Sequence, residues 1–434
     1  MTARRAAGFV AQAAWLAAFA VAAVWSVRVG VADGWAGLET VAGTEQAIAW
    51  TPQRAEYHVR LALLLSDTEA NRSEAELRRA AALQPTDART WIELGLRQEA
   101  RGEYTEAEQS LLRAWEEDKQ YLPRWTLTNY YYRRDDTERF WEWAASAARM
   151  TPGDPMPLFQ LCGRVVEDGR LMERLAVRDP DVRAAYLAYL VGVGRVEMAG
   201  KATAGVLEAN RSEDVPLLMT ACDRMVEDAQ PGQALAIWNQ LAARGRIPFG
   251  TLDPAQGRSL TNGEFAIAPT SRGFDWRLPG VEGVSSAREE DQPGLRLTFS
   301  GRQPESCEAL VQYLPVLEKE SFELRFVYQT SGIPAGSGLS WRLTDVNWGR
   351  SLVFGKAGED VKVVGDVTGL SAEVEARGKL AFVAPAGCRF VRLALTYQRA
   401  TGTTRIEGYI ILRRMALSRT AQLPSEAGGR SRVT

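Results

Sequence analysis

Residues 91–114 read WIELGLRQEARGEYTEAEQSLLRA, two apolar-periodic runs separated by a polar turn at Gly102. Three- and four-residue steps between their apolar and small side chains put one face of each run into contact. Small Gly95 and Ala107 let the first helix approach the second, while Trp91, Leu94, Tyr104 and Leu111 fill the remaining space and Ala114 continues the seam. Trp125 stands 34 residues after Trp91, so the pattern has a period and the fold is an array.

This spacing resembles the tetratricopeptide repeat. Tyr57, Leu61, Leu64, Leu77, Ala80 and Pro85 take comparable places upstream, and Trp125, Tyr132, Trp141, Ala145, Ala148 and Pro152 do so downstream. Past Pro157 the frame loosens, but the segments 158–175, 181–193, 196–208 and 215–246 still alternate as helix pairs, with Gly232, Ala234, Ala236 and Trp238 in the last. The expectation is an α-solenoid over 44–247 with five or six repeats, three of which follow the pattern closely. The resemblance implies a right-handed superhelix whose first helices line a groove for a protein segment. The groove positions would include His58, Arg89, Glu99, Tyr130 and Arg133, each of which equally suits a solvated face; His58 reads as a surface imidazole rather than a catalytic base.

Upstream, residues 6–27 carry only Gln12 and Ser26 as polar side chains, with Arg4 and Arg5 before them and Arg28 after. At ~1.5 Å per residue this run reaches roughly 33 Å, enough for a hydrocarbon layer of about 30 Å. It is expected to be a transmembrane signal anchor. Two leading arginines place residues 1–5 in the cytoplasm and the bulk of the chain in the periplasm, with the anchor in a bacterial inner membrane. A cleaved signal peptide and a buried helix are the competing readings.

After Arg246 the composition turns to alternating strands set between Gly, Pro, Ser and Asp clusters, following a link over 248–259. Strands are expected at 295–299, 309–314, 321–330, 338–344, 379–383, 390–397 and 405–412, giving a β-sandwich over 260–418 and a disordered tail over 419–434. Period-two alternation faces Phe322, Leu324, Phe326, Tyr328, Leu339, Trp341, Leu343, Val391, Leu393, Leu395 and Tyr397 inward, and Arg392 and Thr396 outward.

The opening Asn262-Gly263-Glu264-Phe265, then Gly273-Phe274-Asp275-Trp276, and the closing run from Ile406 to Leu417 resemble the two ends of jelly-roll carbohydrate-binding modules. Many such modules hold a structural calcium, but here the corresponding places are Ala266 and the Arg413-Arg414 pair, so no metal is expected. If glycan binds, the resemblance and the outward pattern point to Trp348, Arg342, Gln312, Arg325 and Tyr409; an ordinary solvated sheet face accounts for them equally.

The 52 basic and 54 acidic side chains give a formal charge of −2, which argues against nucleic acid as a partner. Only six basic residues are lysine, an imbalance spread along the whole chain. His58 is the only histidine, and no CxxC, HExxH, GxSxG, Walker or dinucleotide motif occurs. No cofactor and no catalysis is expected. Cys307 and Cys388 form a possible disulfide if the domain lies outside the cytoplasm. The order anchor, repeat array, sandwich resembles proteins of bacterial exopolysaccharide or O-antigen assembly and export. The reading is a non-catalytic envelope scaffold that binds an envelope protein through its repeats and glycan through its sandwich. A pure protein-assembly scaffold and a glycan-active enzyme are the alternatives.

Overall fold

The computed structural model describes residues 2–65, 69–150, 155–166, 170–171, 174–175, 179–289, 292–346 and 363–420, with side chains from Trp15 onward. The chain divides into two compact units, Met1–Val177 and Arg178–Thr434. The division falls inside the helical region, not at the change of composition near residue 247.

The first unit holds α1 Thr2–Ala36, α2 Val41–Trp50, α3 Ala55–Leu64, α4 Ala70–Leu83, α5 Ala88–Ala100, α6 Tyr104–Glu117, α7 Tyr121–Arg133, α8 Thr137–Ala148 and α9 Met156–Val165. α1 to α8 pair as successive hairpins. The quoted stretch is α5 and α6, where a Cβ on Gly95 would lie 2.7 Å from Leu111 Cδ2, so only glycine permits this approach. Gly102 closes the turn at φ +80°, a left-handed conformation that other residues adopt at a cost. Side-chain caps start several helices: Asp87 accepts from Arg89 N and Asp136 from Arg139 N. The apolar run does not end its helix. α1 continues past Val27, and its last turns bury Ala32 and Ala36 against Ala47 and Tyr57.

The second unit opens with α10 Pro180–Gly192, α11 Val196–Ala209, α12 Val215–Glu227 and α13 Pro231–Ala243. Among the described residues nine antiparallel strands follow: β1 Val284–Arg288, β2 Leu295–Ser300, β3 Ser306–Pro315, β4 Ser321–Ser331, β5 Leu339–Asp345, β6 Val363–Thr368, β7 Ala376–Val383, β8 Phe390–Gln398 and β9 Glu407–Thr420. They form a sandwich of two sheets, ordered β1-β2-β9-β4-β7 and β3-β8-β5-β6. All eleven side chains expected to face inward are buried in its core, Trp341 among them. β1 and β6 escape period-two reading because they lie at sheet edges and bury little. β9 runs to Thr420, eight residues past the expected strand end at Leu412 and two past the expected end of the sandwich, because Arg419 and Thr420 pair with Phe322 and Ser321.

Within the expected link over 248–259, Asn239 bonds both the N–H and the C=O of Leu252 at 2.8 Å, and Phe249 stacks on Trp238. Two expectations are corrected. Arg392 and Thr396 do point away from the core, yet they are buried at 8% and 6% exposure. Cys307 and Cys388 are thiols rather than a disulfide. In the β3/β8 ladder Ser306 faces Gln398 and Pro315 faces Phe390, so the two cysteines stand at opposite ends. At ~3.3 Å per residue that separation is on the order of 30 Å, far beyond the roughly 7 Å reach of a bridge.

Candidate functional site

Among the expected groove residues, Glu99 and Arg133 are brought together. Glu99 on α5 receives two hydrogen bonds from Arg133 on α7, at 2.7 and 2.6 Å, a paired geometry between first helices one 34-residue period apart. Arg89 is exposed on α5. His58 and Tyr130 are not groove residues. His58 is 1% exposed, its Nδ1 2.6 Å from Glu76 Oε2 and its Nε2 3.0 Å from the Pro52 carbonyl, so neither ring nitrogen faces solvent. Tyr130 is 3% exposed and its hydroxyl donates to the Tyr104 carbonyl at 2.8 Å. Burial pushes the Tyr130 hydroxyl's pKa up, as it does for Tyr131, whose hydroxyl donates to Glu108.

The expected glycan set does not converge on one surface. Arg325 and Tyr409 lie on the outer face of the five-stranded sheet, Arg325 bonded to Glu323 at 2.5 Å and Tyr409 covered by the Arg296 guanidinium at 4.4 Å. Arg342 lies on the other sheet, across the sandwich. Gln312 shares its parity with core residues Leu310 and Leu314, after a bulge between Glu308 and Leu310. It is fully buried, its Nε2 donating to the carbonyls of Thr261 and Phe274 at 3.0 Å each. Gln312 therefore ties the opening segment to β3 and offers nothing to a ligand. Trp348 lies outside the described residues.

What remains is the outer face of β3-β8-β5-β6. The ladder registers set side chains in rows: Glu308, Thr396 and Ser340 in one; Val311, Ala394, Arg342 and Asp366 in the next; Tyr313, Arg392 and Thr344 in the third. Ser340 and Thr396 share a hydrogen bond at 2.7 Å, and Arg392 clasps Glu308 with both terminal nitrogens. Burial works against the charge on Arg392, but the hydrogen bond and charge of Glu308 outweigh it and hold the guanidinium's pKa above its ordinary value.

Arg342 and Asp366 differ from these. Both are half-buried and sit side by side across β5 and β6, and neither makes a hydrogen bond or an ion pair among the described residues. A planar five-donor group thus adjoins an acceptor-only carboxylate above a floor of hydroxyls and Ala394, a chemistry that matches a pair of neighbouring hydroxyl groups. Asp366 was not foreseen because its edge strand was not; charge of opposite sign at paired edge positions was the available signal.

At the β3 margin of this face the last helices meet the sandwich. Arg277 pairs backbone to backbone with Val311, lies 5.5 Å over the Tyr313 ring, and donates to Asp223 of α12 at 2.7 Å. Asp223 also accepts from Gly273 N at 2.6 Å and from Arg272 at 3.0 Å. Gly273 has φ +54°, and a Cβ there would lie 2.6 Å from the Trp238 ring, so a backbone N–H reaches Asp223 only because this residue is glycine. An open cleft of about 610 Å³ beside this junction is lined by Thr220, Asp223, Arg224, Glu227 and Arg272.

No family model matches the chain, and neither does any curated protein. Among solved structures, one described as "CBM4 structure and function" is similar over 37% of this chain and 100% of its own, with 11% identity and a TM-score of 0.28. MamA is similar over 31% of this chain and 80% of its own, with 19% identity and a TM-score of 0.28. YrrB, described as a TPR protein with an unusual peptide-binding site, is similar over 46% and 91%, with 16% identity and a TM-score of 0.23. At these values the fold rests on the chain's own geometry.

Proposed function

We propose that this chain is a membrane-tethered, non-catalytic scaffold whose helical repeats hold a protein segment and whose sandwich engages glycan on the β3-β8-β5-β6 face. The observation that carries the glycan half is Arg342 beside Asp366, a donor and an acceptor left without partners among the described residues on a face of small hydroxyl side chains. On the first helices, the Glu99–Arg133 pair and exposed Arg89 offer a charged surface to a peptide. The tether reading is supported by α1 itself. Its last turns pack Ala32 and Ala36 against Ala47 and Tyr57, so any cut C-terminal to Ala32 would remove part of the packed hairpin.

The finer reading places the bulk of the chain in the periplasm, on the inner membrane of a bacterium, among envelope proteins that assemble or export exopolysaccharide or O-antigen. It rests on the order of the three parts. The test is binding of the full chain, in detergent, to a panel of bacterial polysaccharides. Arg342→Ala and Asp366→Asn should each weaken binding about 10-fold or more, the worth of a hydrogen bond to a charged group, with unchanged melting temperature. No binding by the parent chain, or equal binding by both variants, defeats the glycan reading. If a protein partner is then lost on Arg342→Ala, the sandwich is a protein-docking module.

A further inference from the structure

The apolar run of α1 ends at Val27, but the helix continues to Ala36 and α2 folds back along it. The return stops where the apolar run stops. Arg28 donates to the carbonyl of Trp50, the last residue of α2, through Nε at 3.1 Å and Nη2 at 2.7 Å. The turn 51–54 that follows therefore lies at the level of Arg28, beside the apolar run, and not at the far end of the hairpin. Trp25 is 50% exposed and sits about 4.5 Å below that level; Trp50 is 40% exposed and sits on it. Tryptophan and arginine at the end of an apolar helix are the side chains that favour the headgroup layer.

We propose that the turn from Trp50 to Arg54 is a lipid-headgroup contact, so that Trp25, Arg28 and Trp50 form one interfacial belt and the first hairpin is seated on the bilayer. This rests on the tether reading. Mean hydropathy alone would extend the span to Ala36. A boundary at Ala36 would draw Asp33 into hydrocarbon together with its hydrogen bonds from Tyr57 and Arg54, at a large cost in desolvation. The level at Arg28 keeps that cluster out of the hydrocarbon.

The test uses the full chain in vesicles of phosphatidylethanolamine and phosphatidylglycerol, with a nitroxide label on Gln53→Cys and, as a comparison, on Arg89→Cys, both exposed positions. Signal from the native thiols is subtracted using the unsubstituted chain. Relative collision rates with oxygen and with a nickel chelate report depth. Label 53 should show a several-fold higher oxygen-to-nickel ratio than label 89, placing it at the headgroup layer. If label 53 matches label 89 while the chain stays with the vesicles through an alkaline wash, the contact is refuted and the tether stands. If label 53 lies deep among the acyl chains, the boundary at Arg28 is refuted. A chain that washes off refutes both.

Discussion

Replacing Asp223 by Asn tests whether the last helices and the sandwich hold together through buried charge. Asp223 and Arg277 have side-chain exposures of 12% and 5%, whereas Arg272 is 52% exposed. The Arg272 contact is therefore worth little, at most about 1 kcal/mol. Removing the carboxylate from Arg277 leaves a guanidinium out of water without that counter-charge, a change that costs about 3–5 kcal/mol in buried pairs. Arg277 keeps its bond to the Gly273 carbonyl at 2.9 Å, and the amide oxygen of Asn can still accept from Gly273 N, so the lower end applies. About 3 kcal/mol lowers the melting temperature of a unit of this size by roughly 6–12 °C. Thermal unfolding followed by circular dichroism reads it. Adding Arg277→Met removes the stranded charge, and the double variant should melt above Asp223→Asn alone. A fall of less than about 2 °C, or a double variant that melts lower by the sum of the single effects, refutes the reasoning.

Gly95→Ala sets a methyl group 2.7 Å from Leu111 and 3.1 Å from the Ala107 carbonyl. The overpacking of about 1–3 kcal/mol exceeds the gain in helix propensity of about 1 kcal/mol, and hydrogen exchange should speed across α5 and α6. Burial, then Glu308, pushes the Cys307 thiol up to about 11 from 9.0, so at pH 8 its alkylation should run about 100-fold slower than that of an ordinary thiol; four thiols should alkylate in denaturant without reductant. Asp136 caps α8, and the Arg139 N–H, then its guanidinium, lowers the carboxyl's pKa despite an opposing contribution from desolvation. A depressed folded pKa means stability present above the unfolded value of about 3.9 and lost as pH falls through the folded one. Asp136→Ala should therefore cost about 1 kcal/mol at neutral pH and converge on the parent in strong acid, as urea titrations at the two pH values would show.

The hairpins were legible because their contacts are local: Gly95 meets Leu111 sixteen residues on, and neighbouring helices pair in the same way along the array. His58 was misjudged because its partner Glu76 sits eighteen residues away, off the repeat spacing. Period-two alternation found every inward strand residue it named, yet it carries no information about a bulge, so Gln312 was assigned to the wrong face. β6 buries little and leaves no pattern, which hid it and with it Asp366. The Asp223–Arg277 pair joins a helix to a strand-like segment 54 residues later. Nothing local in either stretch announces such a partner.

The strand order has a consequence for how the sandwich comes into being. β9, made last of the nine, lies between β2 and β4 in the middle of its sheet, with Met415 N bonded to the Gly263 carbonyl of the opening segment. Until residues 407–420 leave the ribosome, β2 and β4 each present an unpaired edge and the apolar side of the sheet is split. The helices, whose contacts are local, can collapse as they emerge, whereas the sandwich must wait for its keystone. Termination before that strand would leave an ordered array carrying an open, adhesive half-sheet.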